Sequence, residues 1–323
     1  MTDLVAVDIG GTHARFAIAE VADDGSVRLG PETVLKTGDY AGLAEAWRAF
    51  AARTGSTLPP RAGVAVAGPV DREVVRLTNN RWELRPVILA ADLGIEDASL
   101  VNDFAAVAHA VHVCGPDQLA HICGVDRALP DPGVISVVGP GTGLGVAILD
   151  RKAAGAQVIA TEGGHVGFAP GDAFEDRLLE RLRERHGRAS AERVVSGAGL
   201  REICALLGAE NCPDDASLWA SALDGTDARA AQALHRYFRC LGRVAGDLAL
   251  AHGAGAVVIA GGLGLRLAKL LPRSDFSAGF ADKGRFCEHM AAMPVKLITH
   301  PQPGLLGAAA AFAAHMKKAP LQG

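Results

Sequence analysis

The first part of the chain alternates apolar and polar positions in a way that is typical of two strands joined by a tight turn. An apolar run ends at Asp8, the glycines Gly10 and Gly11 follow, and apolar residues then occupy positions 14, 16 and 18. A period of two predicts a strand, so this stretch predicts a strand, a glycine turn and a second strand. Backbone N–H groups and the Thr12 hydroxyl at such a turn can hold a phosphate, since glycine lets donors approach an anion closely. An ordinary hairpin turn is the alternative interpretation.

The same pattern recurs after a shift of 130 residues, because residues 141–148 repeat residues 11–18 in register as Gly-Thr-x-x-x-(Phe/Val)-Ala-Ile. An apolar run at residues 134–138 precedes the second copy. Two equivalent hairpins about one domain length apart indicate a duplicated architecture, in which each half offers a phosphate loop to one nucleotide. Neither copy fits the P-loop or the dinucleotide-binding glycine spacing.

Later patterns predict further helices and strands. Helical spacing of apolar residues predicts helices over residues 41–52, 105–111 and 227–251. Short apolar runs predict strands at 63–67, 74–77 and 295–298, with a polar turn at Thr78, Asn79 and Asn80. A strand, a glycine turn at Gly261 and Gly262, and a helix follow one another over residues 255–264. That open backbone can accept an adenine or its ribose, although helix–sheet packing explains the glycines equally well.

Composition and charge narrow the class of protein. A chain of 323 residues, 49% hydrophobic and 21% charged, predicts about two globular α/β domains. The net charge of −4 gives no indication of a nucleic-acid partner. The six cysteines form no C-x-x-C pair, so a zinc site or a redox dithiol is not expected. Because no signal-peptide pattern or membrane span is recognisable, we expect no membrane partner and a cytoplasmic location.

Asn102 and Asp103 occupy a position with two possible uses, where a predicted strand ends and a helix begins. Asp103 is either an N-cap, worth about 1 kcal/mol, or a catalytic carboxylate at the carboxyl end of a strand, where open α/β sheets bind ligands. Position alone favours the cap.

Glu162 and His165 flank a glycine pair, and Glu192 follows a candidate helix cap at Ser190. The first two residues are either a solvent-facing acid and a core-edge imidazole or a pair that binds hydroxyl groups. Glu192 in the first turn of a helix favours the helix dipole, and this use is compatible with contact to a ligand.

Taken together, these motifs resemble the bacterial glucokinase family of the actin-like, ribonuclease H-like ATPase superfamily. The matching segments follow the family's order over nearly the whole chain, at residues 8–12, 102–104, 141–145, 162–166, 190–193, 259–262, 282–286 and 303–307. The resemblance implies a two-domain α/β fold with a duplicated strand–glycine-turn–strand phosphate loop and an interdomain cleft. The small domain is expected at residues 1–110, completed by a C-terminal helix at 304–323, and the large domain at 111–303.

The resemblance also implies ATP-dependent, in-line phosphorylation of glucose at the 6-hydroxyl, with Asp103 as the general base. The implied sugar-binding residues are Asn102, Asp103, Glu162, His165 and Glu192. The implied nucleotide-binding residues are Asp8, Ile9, Gly10, Gly11, Thr12, His13, Gly141, Thr142, Gly143, Gly261 and Gly262. Mg²⁺ is expected to be held mainly by nucleotide phosphates and water, with Asp8 near through water and no direct protein ligand. A homodimer is a family expectation.

Two departures and several alternatives accompany this resemblance. His13 stands where the family commonly has Asn, and Gly167 stands where it commonly has Asp. A kinase of mannose, fructose or an N-acetylated amino sugar is an alternative, as is ADP or polyphosphate as the phosphate donor. A sugar-sensing regulator needs a DNA-binding module, for which we expect no room before the first strand. A polymerising ATPase gives no role to the residues Glu162, His165 and Glu192.

Overall fold

The computed structural model describes residues 1–77, 81–153, 155–208 and 214–318, and it divides into two units. Unit 1 contains Met1–Gly115 and the C-terminal part of the chain from His300, and unit 2 is Pro116–Thr299. The boundary that we expected at residue 110 lies inside a helix, Asp103–Val113, which the structure keeps whole in unit 1. The polar turn predicted at Thr78, Asn79 and Asn80 lies outside the described residues, as does the predicted helical stretch 319–323.

Strands and helices are numbered in chain order. The strands are β1 (Thr2–Ile9), β2 (His13–Val21), β3 (Val27–Leu29), β4 (Thr33–Lys36), β5 (Arg61–Val66), β6 (Val75–Arg76), β7 (Glu83–Leu84), β8 (Asp97–Asn102), β9 (Leu119–Cys123), β10 (Gly133–Pro140), β11 (Leu144–Lys152), β12 (Gly155–Thr161), β13 (Ala256–Ile259) and β14 (Val295–Ile298). The α-helices are α1 (Leu43–Thr54), α2 (Leu89–Leu93), α3 (Asp103–Val113), α4 (Ala173–His186), α5 (Ala191–Val195), α6 (Gly199–Leu206), α7 (Asp215–Asp224), α8 (Ala228–His252), α9 (Gly261–Arg266), α10 (Phe276–Ala281), α11 (Cys287–Ala292) and α12 (Pro303–Lys318). Short 3₁₀ turns lie at Thr37–Asp39, Pro86–Ile88, Pro116–Gln118, Gly163–His165, Leu271–Arg273 and Gly284–Phe286.

Unit 1 is a sheet covered on both faces. Its strand order is β3-β2-β1-β5-β8, with β4 added beside β2. Alternate residues of β1 point to opposite faces, so Val5 and Val7 pack in the cluster that contains α1, whereas Leu4 and Ala6 pack in the cluster that contains α12. Helix α12 also packs against α3. The last helix of the chain therefore completes the layer beside its first strand.

Unit 2 repeats this arrangement with the order β12-β11-β10-β13-β14, extended by β9 along β14. Its long helix α8 begins at the N-cap Asp227, whose carboxylate accepts from Arg229 and Ala230 N–H groups, and ends at Gly253 in the left-handed conformation. One long face of α8 is buried, as the helical spacing of its apolar residues predicts.

Both units contain the glycine-tipped hairpin that the sequence repeat predicts. Strand β1 pairs with β2, and β10 pairs with β11, in both cases antiparallel. The first turn spans residues 10–13 and the second spans residues 141–143, so the second turn is one residue shorter. Across the residues that the structure describes, no helix is long and apolar enough to cross a bilayer.

Candidate active site

In unit 1, the first glycine loop and the Asn102–Asp103 pair lie at one edge of the sheet. Strands β1, β5 and β8 are parallel, and Ile9 and Asn102 both pair with Val66. The carboxyl ends of these strands therefore meet, with β1 and β8 about 10 Å apart, which is two strand spacings. Open α/β sheets bind ligands at this edge.

The first glycine loop is fixed by hydrogen bonds at its base. Within the loop, the N–H of Gly10 donates to the His13 carbonyl at 2.9 Å. Thr37, which is buried, donates its N–H to the Thr12 carbonyl at 3.0 Å and its hydroxyl to the Gly11 carbonyl at 2.9 Å. Thr37 was not predicted from the sequence, because nothing near it in the chain marks its contact with a loop 25 residues earlier.

Ile9 and Asp8 end the strand before this loop and differ in what they can offer a ligand. The Ile9 side chain is fully buried in the core, so its contribution is backbone only. The Asp8 carboxyl is 22% exposed and lies 3.8 Å from the Arg15 guanidinium, which in turn lies 3.1 Å from Glu32. Burial raises the pKa of Asp8 above its usual range, and Arg15 opposes that rise.

Two further residues, Gln302 and Gly304, enclose this charged group, and the sequence predicted no contact near Asp8 for either of them. Gln302 donates from its side-chain amide to Glu32 at 2.9 Å. A Cβ at Gly304 would lie 2.5 Å from an Asp8 carboxylate oxygen, so the start of α12 approaches Asp8 as closely as a glycine allows. Arg15 is the member of this group for which the sequence carried a signal, because antiparallel pairing across the predicted hairpin places it directly opposite Asp8.

The N-cap of α3 is Asn102. The prediction that Asp103 is the N-cap, which its position in the sequence favoured, is therefore wrong. The Asn102 amide oxygen accepts from the N–H groups of Phe104 at 2.9 Å and Ala105 at 3.0 Å. Its amide nitrogen donates to the Gly68 carbonyl at 3.1 Å. Asp103 is the first residue of the helix, and one of its oxygens accepts from Phe104 N–H at 2.8 Å. The cap falls on Asn102 because its backbone, with φ −59° and ψ 142°, is not yet helical, whereas Asp103 is the first helical residue.

In unit 2, the second glycine loop, the 162–165 turn and the Gly261 turn share one sheet edge. A single row of register partners crosses the sheet: Thr161, Val146, Val138 and Ile259. The three segments that are predicted to bind ligands begin just beyond this row, at Gly141, Glu162 and Gly261. Gly261 has φ +81°, and a Cβ there would lie 2.8 Å from the Pro140 carbonyl oxygen, so this position requires glycine for both conformation and space.

The residues Glu162, His165 and Glu192, named the Glu–His–Glu set, come together in unit 2. The imidazole lies between the acids, with Nε2 3.8 Å from Glu162 and Nδ1 3.9 Å from Glu192. The side chains of Glu162 and His165 are 70% and 62% exposed and that of Glu192 is 31% exposed, so a ligand can reach them. Helix α5 carries Glu192, and its N-cap is Ser190, whose hydroxyl accepts from the Arg193 N–H at 3.4 Å as predicted.

The Glu–His–Glu set adjoins the second glycine loop. Glu192 accepts the Leu144 N–H at 2.9 Å, and the Gly197 N–H that follows α5 donates to the Gly141 carbonyl at 2.7 Å. Carboxylates accept hydrogen bonds and an imidazole can donate or accept, so this set suits a ligand that is rich in hydroxyl groups. Unit 2 therefore carries a set of side chains that suits hydroxyl groups, beside a turn that can hold a phosphate.

The donor chemistry at Asp8 fits a hydrated magnesium ion. Within the described residues no three His, Cys, Asp or Glu side chains gather into a metal-binding cluster. Mg²⁺ usually keeps several waters and is held by one or two carboxylates together with substrate phosphates. One partly exposed carboxylate beside a glycine loop matches that requirement.

The duplicated hairpins and the repeated strand order define the two-domain actin-like ATPase fold of the hexokinase type. Comparison with known proteins then gives the family, because the model of the family described as Glucokinase matches residues 4–315. A glucokinase of Zymomonas mobilis is 55% identical over 96% of this chain and 98% of its own length, and one of Paramagnetospirillum magneticum is 40% identical over 96% and 97%. A crystal structure of glucokinase from an Antarctic psychrotroph has a TM-score of 0.86 at 32% identity, over 97% of this chain and 99% of that one. This chain belongs to the glucokinase family of enzymes.

Proposed function

We propose that this protein transfers the γ-phosphoryl group of ATP to the 6-hydroxyl of glucose in one in-line step. The observation that carries the proposal is the Glu–His–Glu set beside the second glycine loop, since a kinase of a polyol needs hydroxyl-binding groups next to a phosphate site. The relatives named glucokinase support glucose as the hydroxyl compound.

The proposal assigns the nucleotide and the sugar to the residues that the resemblance implies. The nucleotide residues are Asp8, Ile9, Gly10, Gly11, Thr12, His13, Gly141, Thr142, Gly143, Gly261 and Gly262. Asn102, Asp103 and the Glu–His–Glu set bind the sugar. An analogue that lacks one bound hydroxyl would leave its protein partner unsatisfied, at a cost of about 1–3 kcal/mol. Discrimination among hexoses follows from that cost.

Asp103 is the proposed general base. Phosphoryl transfer passes through a loose transition state, so the protein contributes mainly position and charge, and the hydroxyl proton leaves late. Asp103 lies in the first turn of α3, where the helix dipole favours a carboxylate over a neutral acid. Asn102 caps that helix and so holds the turn that carries Asp103. The carboxylate orients the 6-hydroxyl and accepts its proton.

Magnesium bound with ATP would neutralise charge on the phosphate oxygens, and Asp8 is the proposed contact through water. The resemblance implies a homodimer, and the sequence pattern implies a cytoplasmic location, and the proposal includes both. Light scattering of the purified protein measures the oligomeric state.

The variant Asp103→Asn tests the mechanism. We expect kcat to fall at least about 100-fold, the usual contribution of a general base, while the Kd for glucose changes less than about threefold. The amide can still accept the Phe104 N–H, and the cap is on Asn102, so the helix start is preserved. A coupled assay for sugar phosphate across a hexose panel gives kcat, and calorimetry gives the Kd.

Asp227→Asn is the matched control. Asp227 is the N-cap of α8, and Asn caps a helix as well as Asp does, so this variant keeps wild-type turnover. An Asp103→Asn enzyme with near wild-type kcat would remove Asp103 from the mechanism. A wild-type enzyme that prefers another hexose would overturn glucose as the substrate.

A further inference from the structure

Glu192 makes a contact that its sugar-binding role does not use. Its Oε2 atom accepts a hydrogen bond from the Leu144 N–H, 2.9 Å away, at the end of the second glycine loop. We infer that Glu192 is also a positioning residue for the nucleotide. One of its carboxylate oxygens fixes the phosphate loop, and the same carboxylate is a proposed contact of the sugar. This inference rests on the proposed function and adds a nucleotide role to a residue of the sugar site.

The hydrogen bond from Leu144 to Glu192 affects a second hydrogen bond, the one from Gly141 to Gly143 that closes the glycine loop. The Gly143 carbonyl and the Leu144 N–H belong to one peptide unit, which is planar. The oxygen of that unit accepts from the Gly141 N–H at 2.9 Å, and its N–H donates to Glu192. Holding one end of the peptide plane therefore orients the other. A bond to a carboxylate is roughly twice as strong as one between neutral groups, so Glu192 is a firm anchor.

The packing around Gly143 shows how closely the carboxylate approaches the loop. A Cβ at Gly143 would meet a Glu192 carboxylate oxygen, and the next two nearest atoms, at 3.3 and 4.0 Å, also belong to Glu192. Gly143 therefore leaves space for one particular side chain. A methyl group there would displace the carboxylate and nothing else within that distance.

Glu162 provides the contrast within the same set. Its carboxylate lies 3.8 Å from the His165 imidazole and is 70% exposed, and the structure gives it no bond to the glycine loop among the described residues. The two acids share the sugar role, but the inference gives the nucleotide role to Glu192 alone.

The test measures nucleotide binding in the absence of sugar. The magnesium complex of the non-hydrolysable analogue AMPPNP is titrated calorimetrically into the full-length wild type and variants. We expect Glu192→Ala to raise the Kd of this complex about tenfold, whereas Glu162→Ala leaves it within about twofold. Both variants weaken glucose binding in a parallel titration. A residue that acts on the sugar alone would not change the first Kd.

Two further variants separate the loop contact from a general loss of structure. Glu192→Gln keeps an oxygen that can accept the Leu144 N–H, so it restores most of the AMPPNP affinity that Glu192→Ala loses. Gly143→Ala raises the Kd in the wild-type background. In the Glu192→Ala background, Gly143→Ala raises the Kd little further, because the carboxylate that the added methyl group would displace is gone.

Unchanged AMPPNP affinity in Glu192→Ala overturns the inference, and so does full additivity of the Gly143→Ala and Glu192→Ala effects. If Glu192→Ala lacks a cooperative melting transition, Gly143→Ala in the wild-type background decides, because its methyl group displaces the same carboxylate; an AMPPNP Kd equal to that of the wild type then overturns the inference. These outcomes are distinct from failure of the proposed function, which appears as absent glucose turnover or as an active Asp103→Asn enzyme.

Discussion

At the scale of single residues, Asp8 depends on its charged neighbours. Arg15 lies opposite Asp8 across the β1–β2 ladder and also contacts Glu32, whose negative charge lies near enough to raise the pKa of Asp8. Arg15 is thus the positive charge that separates two acids. Without it, repulsion between the acids would move the Asp8 carboxylate away from its position at the end of β1.

Arg15→Met tests this arrangement. We expect the KM for MgATP to rise about tenfold, equivalent to about 1.4 kcal/mol, with less than threefold change in the KM for glucose. Steady-state kinetics with each substrate varied in turn measures both values. Arg28→Met is the control, because Arg28 pairs with Glu20 on the same sheet in an exposed bridge of little energetic value. Equal rises in both KM values would contradict a specific role at Asp8.

Residue roles were predictable where they follow from local pattern and not where they depend on distant contacts. The glycine turns, the position of Asn102 and Asp103 at a strand–helix junction, and the Ser190 cap all follow from neighbouring residues. Thr37 and Gln302 act through contacts with residues far along the chain. The choice between Asn102 and Asp103 as the cap depends on backbone dihedrals, which the two adjacent polar residues do not distinguish.

At the scale of elements, the first and last parts of the chain meet through closely packed helices. A Cβ at Gly307 of α12 would overlap the carbonyl oxygen of Ala106 in α3. A Cβ at Gly63 of β5 would likewise overlap the carbonyl oxygen of Ala308. These glycines let α12 approach both neighbours, and the helix that carries Asp103 depends on this contact for its position.

Gly307→Ala should therefore destabilise unit 1. Overpacking costs about 1–3 kcal/mol, and here the neighbour is rigid backbone, so we expect a fall in the melting midpoint of about 5 °C or more. Gly38→Ala is the control, since no atom lies within 4 Å of a Cβ placed there. Circular dichroism melts measure both. A Gly307→Ala protein with an unchanged midpoint would mean that α12 can shift away from α3 at little cost.

At the scale of the whole molecule, each hydrophobic cluster formed by the described residues lies within one unit. The clusters of unit 1 draw on residues from both ends of the chain, whereas that of unit 2 draws on the stretch between them. The repeat predicted the duplicated hairpins, because each copy carries its own glycine turn and alternating strand. The added strands β4 and β9 were not predicted, since an edge strand has no partner that its own sequence identifies.

Phe312→Ala tests this division of the core. Phe312 of α12 is fully buried in the cluster that contains Leu4 and Ala106, and loss of such a side chain costs about 3–5 kcal/mol. Hydrogen exchange of the full chain should rise in β1 and α3, which lie about 200 residues or more before the substitution. Protection in β13 and β14 should stay unchanged although these strands are nearer in sequence, because their core belongs to unit 2. Equal loss of protection in both units would show that they unfold as one cooperative body.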